Sequence, residues 1–113
     1  DLKEAGFILG LVSNRDEPFE TELEELGLRE FFQFTLAAGE VNSYKPDRAI
    51  FDEAVKRAGT SASETMYVGD NYFADIVGSR RAGLRPVLYD PIRLFPDAGC
   101  PVVTAFDQVT ALL

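Results

Sequence analysis

Apolar and polar positions alternate along the chain in blocks of two kinds. Phe7 to Val12 ("FILGLV") is a short apolar run bounded by Gly6 and by Ser13-Asn14, which predicts a buried strand. From Asp16 to Leu26 the period changes: Phe19, Leu23 and Leu26 share one helical face, acids occupy the other, and Gly27 marks the stop. Phe31 to Ala37 ("FFQFTLA") predicts a second strand, and Gly39 to Pro46 a loop. Asp47 to Ala58 predicts an amphipathic helix with Ile50, Phe51, Ala54, Val55 and Ala58 as its apolar stripe. Pro46 and Asp47 suit its start and Gly59 its end.

The same alternation continues. Thr65 to Val68 is predicted as a third strand, ending at Gly69-Asp70. Ala74 to Ala82 is a helix stopped by Gly83. Arg85 to Tyr89 is a fourth strand, whose Pro86 suggests an edge position. Asp90 to Pro101 is a proline-bearing loop, Val102 to Ala105 a fifth short strand, and a helical stub follows from Asp107. Strands alternating with helices predict an α/β fold built on a parallel sheet. At the other end, Asp1 to Gly6 reads as the last turn of a helix, and the absence of an initiator Met suggests a piece of a longer protein.

Composition narrows the chemistry. The chain has 113 residues, the size of a single domain, taken as 1–113. Its net charge of −8 argues against a nucleic-acid partner. No apolar run approaches the roughly 20 residues that span a bilayer, and no secretory signal is visible. The lone Cys100 allows no internal disulfide, in keeping with a reducing, cytoplasmic setting. With no histidine, His-based triads and His-ligated zinc are excluded within this chain, so any metal would have oxygen ligands, as magnesium or calcium does. Seven of the 19 acids lie between Asp16 and Glu30, a pattern read as a solvated helix face.

In an open parallel sheet, ligands gather beyond the carboxyl ends of the strands. Ser13 and Asn14 end the first strand, Asp70 ends the third, Asp75 falls in the first turn of the next helix, and Lys45 precedes a helix N-terminus. A hydroxyl, an amide, a lysine and two carboxylates suit a phosphate beside a divalent cation, with Asp75 either binding a metal-bound water or orienting Lys45. Each also has an ordinary reading: a helix cap for Ser13 or Asn14, a surface lysine, a turn residue for Asp70, a first-turn acid for Asp75. Tyr72 and Phe73 read as core or interface residues.

Taken in order, these segments resemble the haloacid-dehalogenase-like hydrolases, especially their magnesium-dependent phosphatases. "LVSNRD" at 11–16, "SYKPDRAIF" at 43–51 and "YVGDNYFADIVGSRRAGLRPVLYD" at 67–90 are similar to that family's second, third and fourth motifs. The resemblance runs from Gly6 to about Pro91. It implies a Rossmann-like three-layer α/β/α fold with a mainly parallel sheet and hydrolysis of a small phosphorylated metabolite through an aspartyl-phosphate. It also implies roles: Ser13 and Asn14 bind the phosphoryl group, Lys45 stabilises the nucleophile and transferring phosphate, and Asp70, supported by Asp75, holds Mg2+. The Gly-Asp form at 69–70 implies phosphate-ester rather than carbon–halogen chemistry.

The family's first motif, Asp-x-Asp on the central strand, occurs nowhere in the 113 residues. The resemblance therefore implies a sheet lacking its middle strand, a partner in the missing N-terminal segment of the same protein, and a chain inactive by itself. The alternative is a non-catalytic magnesium- or phosphate-binding regulatory domain, or a pseudoenzyme. A receiver-type domain would carry its lysine after its acids, whereas Lys45 precedes Asp70 and Asp75. In this family the cap domain selects the substrate, and no cap is present.

Overall fold

A computed structural model describes residues 2–113. Its described elements are β1 (Gly10–Ser13), α1 (Glu20–Glu25), β2 (Phe34–Ala37), α2 (Ala38–Val41), α3 (Arg48–Ala58), β3 (Met66–Gly69), α4 (Gly78–Arg81), β4 (Arg85–Tyr89) and β5 (Val102–Val103). A π-type turn at Tyr72–Val77 leads into α4, and a 3-10 segment at Phe106–Leu112 follows β5. All strand pairings are parallel, so the chain has the partial α/β fold expected for it.

The strands form two separate ladders among the described residues. β1 pairs with β2, and β4 stands between β3 and β5. No pairing joins β1 to β3, so the inner edges of the two ladders are both open. Pro86 thus sits in a central strand, not at the edge that its type suggested. Its missing N–H is harmless because of alternation along the strand. The N–H of Arg85 donates to Thr65 on the β3 side, and that of Leu88 to Pro101 on the β5 side. Position 86 therefore faces the β5 side, where the pairing begins only at Leu88.

The two ladders are held together by α3. Its Ile50, Phe51 and Ala54 are buried against Leu36, Ala38, Ala82 and Leu84. Val12 and Phe34 from one ladder and Tyr67 from the other pack on the same cluster. Each fully buried Ile or Phe side chain contributes roughly 1.5–3 kcal/mol of transfer free energy, so the bridging stripe is a main source of cohesion. The helix stops at Gly59, whose φ of 72° places it in the left-handed region that glycine adopts freely.

Element ends depart from the sequence pattern in informative ways. Helix α1 is only the C-terminal part of the predicted 16–26 span; Phe19 and Leu23 are buried with Ala37, but Leu26 lies past the helix end and is exposed. The predicted loop at 39–46 begins with the short helix α2. There Gly39 is obligatory, because a Cβ would lie 1.9 Å from the Asp16 carbonyl oxygen. Residues Leu2–Gly6 form a helix-end turn, with the Phe7 N–H donating to the Leu2 carbonyl at 3.1 Å; Asp1 lies outside the described residues. No helix among the described residues is long and apolar enough to cross a membrane.

Candidate active site

The strand ends bring Lys45 and Asp75 into direct contact. The Lys45 Nζ donates to Asp75 Oδ1 at 2.6 Å, and the two side chains are 12% and 5% exposed. Lys45 also donates to the Tyr67 hydroxyl oxygen at 3.1 Å. Burial opposes the lysine's charge, but Tyr67 and Asp75 outweigh it and hold Lys45 above the ordinary lysine value. Burial likewise pushes the Tyr67 phenol up, with Lys45 pulling the other way. The amine is therefore a fixed, permanently charged ammonium at neutral pH.

The second Asp75 oxygen, Oδ2, accepts the Asn71 N–H at 3.0 Å. Asn71 in turn caps the turn below it, its Oδ1 accepting from the Ala74 N–H at 2.8 Å. This local hydrogen bonding folds Tyr72–Val77 into a widened π-type turn and draws Asp75 inward beneath Gly69. A Cβ on Gly69 would lie 2.3 Å from the Asp75 Cγ, so the backbone approach requires glycine at this position. Asp75 is thus engaged with Lys45 and with its own turn, and orienting Lys45 is one of the two roles its position suggested. Asp70, one residue past β3, is exposed, and among the described residues no hydrogen bond or ion pair engages its carboxylate.

Asn14, just past the end of β1, is bonded to the main chain of Lys45. Its Oδ1 accepts the Lys45 main-chain N–H at 2.7 Å, and its Nδ2 donates to the Lys45 carbonyl at 3.1 Å. Both halves of the amide clamp the backbone at the cis Lys45–Pro46 peptide. These two bonds use the amide oxygen and one of its two N–H donors. Ser13 closes β1, and its Oγ accepts only a long contact from the Arg15 N–H, 3.4 Å, which leaves the hydroxyl hydrogen available as a donor.

The structure thus joins Lys45, Asp75 and Asn14 into one bonded unit, with Ser13 and Asp70 at neighbouring strand ends. Tyr67 was missing from the sequence-derived set. The available signal was its place in β3, where period-2 alternation puts Met66 and Val68 in the cluster around Val87 and Val103, and Tyr67 on the α3 side. Nothing in the local sequence announces that α3 would also bring Lys45 to that face.

Among the described residues, no group of three or more His, Cys, Asp or Glu forms a metal cluster. The donor chemistry of Asp70, an exposed hard carboxylate oxygen at the site's edge, nevertheless fits magnesium. That ion takes one or two protein carboxylates and fills its remaining positions with water and phosphate.

Comparison with known proteins places these features in context. A family profile described as haloacid dehalogenase-like hydrolase matches residues 1–89. Haloacid dehalogenase-like hydrolase domain-containing protein 3 of Mus musculus is 41% identical over 86 residues, covering 76% of this chain and 34% of that protein. A glyceraldehyde 3-phosphate phosphatase of Methanothermobacter thermautotrophicus is 36% identical over 89 residues, covering 78% of this chain and 39% of its own length. Among solved structures, a 2-haloacid dehalogenase from Pseudomonas syringae pv. Tomato DC3000 superposes with a TM-score of 0.83 at 33% identity, over 94% of this chain and 46% of that one. The chain therefore spans less than half the length of each of these relatives.

Proposed function

The chain belongs to the haloacid dehalogenase-like hydrolases, and from that premise we propose that the full-length protein hydrolyses small phosphate monoesters through an aspartyl-phosphate. The observation that carries this reading is the buried Lys45 ammonium, fixed by Asp75 at the strand ends beside the exposed Asp70. A preorganised cation in a partly dry site stabilises developing phosphoryl charge, because it needs no reorganisation when the reaction occurs. The similarity to a phosphatase supports the same chemistry.

In this reading Ser13 donates its hydroxyl to a phosphoryl oxygen. Lys45 neutralises charge on the transferring group and on the attacking carboxylate. That carboxylate attacks phosphorus, the ester P–O bond breaks and the alcohol leaves with a proton from an acid outside the 113 residues, and water then cleaves the acyl phosphate to inorganic phosphate and the free carboxylate. Asp70 would hold magnesium, which when bound would offset the negative charge of the phosphate. Because no Asp-x-Asp occurs in the 113 residues, the nucleophile comes from outside them, and these residues alone are inert.

The test is turnover of p-nitrophenyl phosphate with millimolar magnesium by the full-length protein, by the 113-residue chain and by full-length Lys45→Met. The full-length protein should turn over. The short chain should not, and Lys45→Met should lose roughly 100- to 1000-fold in kcat, the scale for one preorganised charge-stabilising group. Turnover by the short chain overturns its inertness. Silence of the full-length protein on phosphate esters, with release of halide from a 2-haloacid, overturns the phosphatase reading.

A further inference from the structure

We propose that Tyr67 is a positioning residue for this reaction, its phenol oxygen fixing the direction in which the Lys45 ammonium points. The catalytic consequence rests on the phosphatase reading above; the positioning itself rests on geometry.

A lysine ammonium carries three donors on a flexible four-carbon stem. An ion pair with Asp75 alone would leave that head free to turn about one contact. Here two donors are committed, one to Asp75 Oδ1 at 2.6 Å and one to the Tyr67 oxygen at 3.1 Å. With two directions set, the third N–H has a defined direction and remains free for an incoming oxygen. Tyr67 performs this without adding charge. A second carboxylate in its place would make the cluster net anionic and hostile to phosphate, whereas a neutral phenol leaves Lys45 and Asp75 balanced.

The phenol is itself anchored. Its ring meets the fully buried Phe51 edge-on, with centroids 5.1 Å apart and planes at 75°. The Lys45 Nζ lies 5.5 Å from the Tyr67 ring centroid, off the hydroxyl end of the ring, so the phenol oxygen is the contact that holds it. Core packing of α3 thereby sets the position of Tyr67, and Tyr67 sets the direction of the amine. A purely structural tyrosine would need the ring but not the hydroxyl, which makes Tyr67→Phe the informative change.

The experiment uses the full-length protein with 15N-labelled lysine, Lys45 being assigned by the resonance that Lys45→Met removes. In the wild type, nuclear Overhauser contacts should join the Lys45 side chain to the Tyr67 ring protons; their absence overturns the proposal without recourse to any variant. Tyr67→Phe should broaden the Lys45 ammonium signal through faster exchange with water. It should also lower kcat on the aryl phosphate about tenfold with KM little changed, the effect of weakening one hydrogen bond in the transition state, that of the third Lys45 N–H, once its direction is no longer set. An unchanged ammonium signal, or an unchanged kcat in an active protein, overturns it. If the wild type proves inactive, the phosphatase reading fails, and the ammonium and Overhauser signals still decide whether Tyr67 holds Lys45.

Discussion

At the scale of single residues, the site depends on a glycine as much as on its charges. A Cβ at position 69 would stand 2.3 Å from the Asp75 Cγ, inside any attainable contact distance. Gly69→Ala should push Asp75 outward, break its bond to Lys45 and lower stability by about 1–3 kcal/mol, the usual cost of overpacking a tight site. A chemical-denaturation midpoint unchanged from wild type would show that Asp75 has room to move and that the contact is soft. Sequence makes Gly69-Asp70 visible as a turn, and Lys45, Asp70 and Asp75 visible as candidates for chemistry. It offers Asp75 as a group that could orient Lys45, but it does not show the turn that brings the two together, whose hydrogen bonds run through Asn71. Asn14 was legible as a strand-end polar group for the same reason, but its two hydrogen bonds to the Lys45 backbone depend on a segment 31 residues away.

At the scale of elements, legibility follows periodicity. Helix α3 has eleven residues, a sustained apolar stripe and a glycine stop, and it forms within a residue of its predicted span; β4 forms over the residues predicted for it. Short elements carry too few residues for a period to show, so α2 was invisible, and the helix predicted from Ala74 to Ala82 forms as a π-type turn from Tyr72 running into the short α4. Helix α1 lies between these cases. It is shorter than its pattern, and it is tied to the sheet by a polar contact that no period encodes: the Thr35 hydroxyl donates to Glu20 Oε1 at 2.9 Å. Hydrogen bonding from its own backbone N–H, then from Thr35, holds the Glu20 carboxyl below its ordinary value of 4.5. A carboxyl depressed by folding contributes stability above its unfolded pKa and loses it as acid protonates the folded form. In the full-length protein, Glu20→Gln should therefore be less stable than wild type at pH 7. The gap in urea midpoint should close as the pH falls well below 4.5. A gap that persists unchanged at low pH would mean that shape, not charge, matters at position 20.

At the scale of the whole molecule, the open inner edges of the two ladders are the feature with the widest consequences. In a parallel strand the N–H and C=O of one residue point to the same side, and the side alternates along the chain. Because the Leu9 carbonyl accepts from the Gln33 N–H and the Thr65 carbonyl from the Arg85 N–H, Leu11 and Ser13 face β2, and Tyr67 and Gly69 face β4. Gly10, Val12, Met66 and Val68 then present their backbone groups to the open edges. Unpaired edges of this kind invite pairing with another chain, and buried backbone groups without partners are costly. A strand supplied from outside the 113 residues would satisfy both rows at once and would stand beside Ser13, Lys45 and Asp70. Amide hydrogen exchange tests this residue by residue. In the 113-residue chain, Gly10, Val12, Met66 and Val68 should exchange much faster than Leu11, Ser13, Tyr67 and Gly69, an alternation within each strand that general instability would not produce. In the full-length protein all eight should be protected together. Equal protection of the two sets in the short chain would mean that its edges are already covered, by self-association or by a rearranged fold, and would remove the structural ground for placing the nucleophile on a strand between β1 and β3.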